Sequence, residues 1–478
     1  MLNKKLTIPI LFWTGISLLF ILRFIFSISL ESHPDESYYA LYARHLNWGY
    51  VDHGPMVAWI IKLFTLFNES PLLIRGGGLL GFSALSIHLF FFGKRYFTLR
   101  FAFFLSSLFS FSMVFFTANL IMTPDMPLCL FSIWTIMAYF LAFFHKKNTF
   151  LLGGVCLGMA ALSKISAAFL GFSLFLAPFL IPQLNSFKRN IHFYISFCIA
   201  LIIFLPFILW NYTHDWIFFR YQGAHIQEAI TFIESVSLWL GASILLGPLF
   251  TYFMFWKTFK SLLKQKQAFL SFFGLLCAVP FCYFFISSFK NKMELNWLLP
   301  VFFSLPFFSA YYLDLYWPKF KKIFYTQIIW NSTLILLIIF HLISGILPVP
   351  LINDSIRKSF YRYQGLIKEL EIVLNKDPRF SDYPIVANNY QIPSLINQYL
   401  KPKSEALCLS INYHPTLYTH IYPNRLSYPN KQLLIQSGTK VSTDIKDKYH
   451  IKGPIYYFQT TINKQIIDDF TIWEIIQK

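Results

Sequence analysis

Through its first 350 residues the chain reads as long apolar stretches divided by short polar breaks. A helix needs about 20 apolar residues to cross a bilayer, and on that criterion the spacing predicts about 11 spans. Their centres fall near Leu18, Leu80, Leu108, Ile136, Val155, Phe172, Ile202, Leu246, Val279, Phe303 and Ile335. The composition agrees: 56% of residues are apolar and only 13% charged, where a soluble domain carries about 25% charge. A soluble enzyme, a disordered tail and a disulfide-rich secreted module are excluded. Cys129, Cys156, Cys198, Cys277 and Cys282 lie in apolar runs and Cys408 has no polar-region partner, so neither a disulfide framework nor a CxxC metal spacing is present. The first run follows Lys4-Lys5 without a small-residue cleavage site, which reads as an anchor rather than a removed signal peptide.

The formal net charge is +18, from 40 basic and 22 acidic residues. Alternating the breaks from a cytoplasmic N-terminus puts 16 of the 24 basic residues before position 351 on the inside, including Lys94, Arg95, Lys146, Lys147, Lys188, Arg189, Lys266 and Lys319. The positive-inside rule accounts for that bias, without any nucleic-acid partner. Ten of the eleven acids in this part, Glu31, Asp35, Asp125 and Glu228 among them, fall in outer breaks, with Asp314 the exception. The working face is therefore expected outside.

Two outer breaks are too long for turns: residues 29–70, and Asn211 to about Glu234. The first carries amphipathic segments at Asp35–Leu46 and after Pro55, both expected to lie along the membrane surface. Beyond Pro348 and Pro350 charge becomes denser. Residues 354–375 read as a helix, 383–387 and 405–409 as strands flanking a helix at 392–400, and 453–458 as a later strand. The expected organisation is a mostly α polytopic membrane module over 1–350, followed by a small extracytoplasmic α/β domain over 351–478.

The densest chemistry is Glu31-Ser32-His33-Pro34-Asp35-Glu36, followed by Asp52-His53-Gly54-Pro55. Carboxylates beside tyrosines suit a base that takes a proton from an acceptor hydroxyl. The same groups suit a divalent cation, with His33, Asp35, Asp52 and His53 as the candidate set. They also suit helix caps: Ser32-x-x-Asp35 with Pro34 in the first turn reads as a capping box, and Asp52 as the cap of the next helix. Asp125, at the outer start of a span, is costly enough to imply a role, or is a cap. Lys164, in an outer hairpin, reads as a phosphate-binding ammonium or as a snorkelling lysine; Arg23 has the same two readings. The loop Trp210–Gln222, with His214, Trp216 and Arg220, and the segment Lys290–Trp297, with Asn296, set cations and aromatics outside, where an anionic partner would sit.

Taken together, His33-Pro34-Asp35-Glu36-Ser37-Tyr38-Tyr39, Tyr50-Val51-Asp52-His53-Gly54-Pro55, Thr123-Pro124-Asp125, Leu162-Ser163-Lys164, Trp210-Asn211 through Gln222, Asn296-Trp297 and Ala387–Gln391 resemble, in order, the segments of the GT-C membrane glycosyltransferases. Within that group the chain is similar to the bacterial protein O-mannosyltransferase-like enzymes and the lipid A aminoarabinose transferases. The resemblance implies sugar transfer from a polyprenyl-phosphate donor, such as an undecaprenyl-phosphate sugar, to an outer-leaflet lipid, glycan or protein acceptor at a bacterial inner membrane. It implies Asp35, Asp125 and Glu36 as catalytic candidates, and Lys164, Arg220, Lys290 and Arg23 for the donor phosphate. Asp52, His53, Tyr38, Tyr39, His214, Trp216 and Asn296 are expected to face sugar or acceptor. Two departures stand out: Gly54 replaces the first of two prolines, and Asp52-His53 stands where aminoarabinose transferases tend to carry Glu-Lys. A transporter or flippase of a lipid-linked sugar is the alternative; it would place ionisable residues mid-span and often show repeats. A non-catalytic envelope assembly protein is the third.

Overall fold

A computed structural model describes residues 4–146, 148–225, 230–264, 267–349, 353–400, 402–412, 414–424, 426, 431–462 and 465–478. The expected domain boundary at 350/351, and the charges Lys147, Glu228 and Lys266, lie outside the described residues. The chain divides into two compact units, one of 1–26, 53–57 and 75–338, the other of 27–52, 58–74 and 339–478.

The first unit holds most of the apolar helices. Among the described residues six helices are long and apolar enough to cross a membrane: Thr7–Ser29, Gly76–Tyr96, Asp125–Phe144, Ile191–Thr213, Ala268–Ser287 and Trp317–Ser344. Two further spans arise if each bent pair counts once, Ala167–Leu180 with Pro182–Arg189 (103°) and Leu295–Phe302 with Leu305–Leu315 (44°). The expected count of eleven is not met by this criterion. The runs around Leu108, Val155 and Leu246 form helices of only 12, 14 and 15 residues, short of the roughly 20 that hydrocarbon thickness demands. Leu201 and Ile202 on Ile191–Thr213 are about two-thirds exposed (67% and 65%), a placement suited to lipid tails rather than water. The chain is a multi-pass membrane protein. None of the six cysteines, all among the described residues, is joined in a disulfide.

In the second unit, the helix Pro34–Arg44 buries nine of its eleven residues. It therefore does not lie amphipathically on a membrane surface as its spacing suggests; both of its faces are covered by protein. The following helix Met56–Phe64 leaves Leu63 open and keeps the amphipathic character expected of it. The expected helix at 354–375 is two helices, Ser355–Tyr361 and Leu366–Lys376. They are broken at Gly365, whose φ of +82° is the left-handed region glycine adopts without penalty. Strands β1 (Ile385–Ala387), β2 (Leu407–Cys408), β3 (Gln432–Ser437), β4 (Tyr449–Ile462) and β5 (Gln465–Gln477) form one sheet in the order β2-β1-β3-β5-β4. β1 runs parallel to β2 and β3, while β5 is antiparallel to β3 and β4. The helix Gln391–Tyr399 links β1 to β2. Leu366, Leu370, Ile396, Leu433, Ile435, Phe470 and Ile472 form the dry core between sheet and helices.

Candidate functional site

Within the second unit, the start of Pro34–Arg44 sorts its two acids. His33 is the N-cap: its Nδ1 accepts from the Asp35 amide (3.2 Å), and the Glu36 carboxylate accepts from the His33 amide (2.8 Å). Pro34 occupies the first turn, where its missing N–H costs nothing. The capping box thus lies one residue beyond the Ser32–Asp35 pair expected from sequence. Glu36, a catalytic candidate, is fully buried and holds the cap instead. Ser32 is taken by the Gln398 amide, 2.9 Å away.

Asp35 keeps 34% of its side chain exposed. Its Oδ1 accepts from the Tyr390 hydroxyl (3.1 Å) and from Gln391 Nε2 (3.3 Å). The His33 Nδ1 lies 3.6 Å from Oδ2; because that nitrogen accepts from the Asp35 amide it carries a lone pair, and the contact is no ion pair.

Asp52 accepts from the Tyr42 hydroxyl, and the next helix starts at Met56, so Asp52 stands four residues ahead of it rather than at its cap. Burial, augmented by the charge of Asp35, pushes its carboxyl up to about 6 despite the Tyr42 bond. Tyr42 stacks on Tyr50 at 3.8 Å between ring centroids, and Tyr38 meets Tyr42 edge-on at 4.9 Å. The Tyr38 hydroxyl accepts from the Leu417 amide (2.8 Å). Burial raises the Tyr38, Tyr39 and Tyr42 hydroxyls well above the ordinary phenol range, so all three stay protonated. Arg44 grips Glu69 bidentately and His45 contacts Glu405 at 3.0 Å, which ties the loop to the strand-and-helix region of the same unit.

A second cluster belongs to the first unit. Asp125 opens Asp125–Phe144, and Lys164 ends Phe150–Ser163 in an extended conformation. Lys164 Nζ donates to Asp125 Oδ1 at 2.8 Å, and both side chains are nearly buried. Asn296 Nδ2 reaches Asp125 Oδ2 at 3.4 Å. Lys164 thus sits in an ion pair rather than snorkelling alone. Gly54 lies flush on the same turn: a Cβ there would fall 2.0 Å from the Leu162 carbonyl oxygen. No residue with a side chain fits at this position without the backbone moving. Burial, with Lys164 adding a smaller push, lowers the neighbouring His53 imidazole to about 3, which leaves it neutral at physiological pH.

Arg23, His214, Trp216, Arg220 and Lys290 belong to the first unit. The Arg23 guanidinium is buried and donates to the carbonyls of Phe116 and Gly78 (3.1 and 3.0 Å) and of Asn119. Those bonds join the first helix to the backbone of the helices beside it in the first unit. His214 stacks on Trp210 (4.2 Å) at the end of Ile191–Thr213, and Arg220 is exposed on Ile217–His225. Asp215 and Trp216 both take positive φ, +53° and +57°, a turn pinned by Asn211, whose Oδ1 accepts from the Phe218 amide (3.2 Å). Lys290 is exposed after Ala268–Ser287. Among the described residues no three His, Cys, Asp or Glu side chains gather as a metal-ligand group, so His33, Asp35, Asp52 and His53 do not assemble one. Sequence reasoning missed Tyr42, ten positions from Asp52, and Tyr390 and Gln391 as partners of Asp35; no local pattern marks residues that meet, as these last two do, across some 350 positions.

The chain matches the family described as dolichyl-phosphate-mannose-protein mannosyltransferase over residues 52–210. That stretch holds Asp52, His53, Asp125 and Lys164 and leaves Asp35 outside. It is 24% identical over 297 residues to the lipid A galacturonosyltransferase RgtD of Rhizobium johnstonii, covering 60% of this chain and 61% of that one. The match thus spans less than two thirds of that relative's length. The crystal structure of ArnT from Cupriavidus metallidurans bound to undecaprenyl phosphate is similar at a TM-score of 0.64 and 13% identity, over 96% of this chain and 97% of that one. An Archaeoglobus fulgidus oligosaccharyltransferase is similar at 0.53 and 11%, over 89% and 69%. The resemblance read from the sequence stands at the level of fold: the chain has an ArnT-like fold.

Proposed function

We propose that this chain is an integral-membrane glycosyltransferase moving a sugar from a polyprenyl-phosphate donor, such as an undecaprenyl-phosphate sugar, to an outer-leaflet acceptor such as lipid A. The relatives act in that chemistry by name: one is a lipid A galacturonosyltransferase, another was solved with undecaprenyl phosphate. The observation that carries the reading is Asp35. A base must be reachable by its substrate; Glu36 and Asp125 are buried, whereas Asp35 is open and held in place.

In the proposed reaction the acceptor oxygen attacks the anomeric carbon and the bond to the phosphate oxygen breaks. Polyprenyl phosphate leaves with the electron pair, and the anomeric centre inverts. Asp35 takes the proton of an acceptor hydroxyl, or orients an acceptor phosphate that is already ionised. The polyprenyl phosphate is itself a good leaving group, so no nucleotide-binding fold is needed. Lys164, poised on Asp125, is the cation assigned to the donor phosphate, with Arg220 and Lys290 as outer cations. Neutral His53, the tyrosines around Asp52, and Asn296 are assigned to sugar and acceptor hydroxyls. We place residues 351–478 and the loop 29–70 on the extracytoplasmic side of a bacterial inner membrane, with the three shorter apolar helices completing an odd number of crossings.

The test is turnover by the full chain in nanodiscs, offered undecaprenyl-phosphate mannose, aminoarabinose or galacturonate with lipid A, and read by mass spectrometry of the lipids. Product formed by the native chain and lost in Asp35→Asn supports the reading. Transbilayer movement of the donor without product supports the flippase alternative.

A further inference from the structure

Asp35 is held at one oxygen only. Tyr390 and Gln391 both donate to Oδ1, and among the described residues no hydrogen bond ends on Oδ2. Each donor is itself fixed. The Gln391 amide could point either way, but its Oε1 accepts from the Tyr363 hydroxyl at 3.0 Å, and its own backbone amide donates to Asn389 Oδ1 at 2.8 Å. Because the Asp35 carboxylate only accepts, Nε2 is the end turned to it, and the Tyr363 hydroxyl holds the other end of the amide. The Tyr390 ring packs against Tyr38 at 4.5 Å, and Tyr38 is tethered by the Leu417 amide. Tyr363 is buried in the core of this unit. Both donors are neutral, so they orient the carboxylate without setting a counter-ion beside it.

We propose that Tyr390 and Gln391 are positioning residues for Asp35, with Tyr363 setting the Gln391 amide, so that Oδ1 is anchored and Oδ2 is presented to the acceptor. This rests on the reading of Asp35 given above. It explains why an acid near the N-terminus works with a segment near residue 390, two regions that local sequence does not connect.

The test uses the full chain in nanodiscs, with the undecaprenyl-phosphate sugar that the native chain turns over. Tyr390→Phe and Gln391→Ala should each lower kcat about tenfold while KM for the donor stays within about twofold, since misplacing a reacting group by an ångström costs up to about a hundredfold. Tyr363→Phe should give a smaller loss of the same kind. Added to Asp35→Asn, the two substitutions should cost nothing further, because a positioning group has nothing left to position. A readout independent of any sugar is carbodiimide labelling of the full chain followed by mass spectrometry. Asp35 should label several-fold faster in the Tyr390→Phe/Gln391→Ala variant while Asp377 is unchanged. Unchanged kcat and labelling, or losses that add to that of Asp35→Asn, overturn the proposal while leaving Asp35 its role. Full turnover by Asp35→Asn overturns the role of Asp35 itself.

Discussion

Asp35 and Asp125 are both acids in outer breaks, yet their surroundings are opposite. Asp125 is closed in and paired with a lysine 2.8 Å away. Asp35 is open and rests on a phenol and an amide, neither charged. A cation partner stabilises a buried carboxylate and occupies it; neutral donors hold a carboxylate still without a counter-ion. The contrast predicts that one acid is chiefly read out in turnover and the other in folding.

The sharpest way to break the contrast is to remove each acid in turn. Asp35→Asn should cut kcat by about 10²–10⁴-fold, the usual worth of a general base, with the melting temperature of the purified chain unchanged. Lys164→Ala should strand a nearly buried carboxylate and cost about 3–5 kcal/mol of stability, read as a lower melting temperature and lower yield from membranes. Lys164→Met with Asp125→Leu should recover a large part of that loss. Next in size, Gly54→Ala forces a methyl into the Leu162 carbonyl. It should cost about 1–3 kcal/mol, as overpacking does, and it should shift His53, which amide exchange over 50–57 would report. The smallest effect concerns Asp52. The folded chain holds its proton up to about pH 6, against an ordinary value of 3.8. Its contribution therefore favours the fold at low pH and fades as pH rises from about 4 toward 6. Asp52→Asn should remove that slope from the melting temperature measured across this range.

Much of the membrane module was legible in the sequence, since hydrocarbon thickness imposes a length that apolar runs must match. Each expected run corresponds to an apolar helix, and those around Leu108, Val155 and Leu246 fall short in length alone. In the soluble-looking part, β1, β2 and the helix Gln391–Tyr399 were visible as short β-branched and amphipathic segments. β3 and β5 were not anticipated, and Gly365 split a segment that periodicity alone joined. The candidate site was half legible. Asp35, Asp125 and Lys164 stood out by charge in an apolar chain, and the capping signature was recognised one residue early. What stayed hidden was tertiary: the burial of both faces of Pro34–Arg44, the sorting of Asp35 from Glu36, and the donors Tyr390 and Gln391. Spacing rules describe neighbours along one element, and these partners arrive from the other end of the chain.

That long separation has a consequence for synthesis. A ribosome exposes residue 35 early and residue 390 only near the end, so a nascent chain halted before 390 carries its acid without either anchor. Truncated translation products would insert their helices in the bilayer yet remain silent, and competence would switch on only when the last fifth of the polypeptide emerges and folds back.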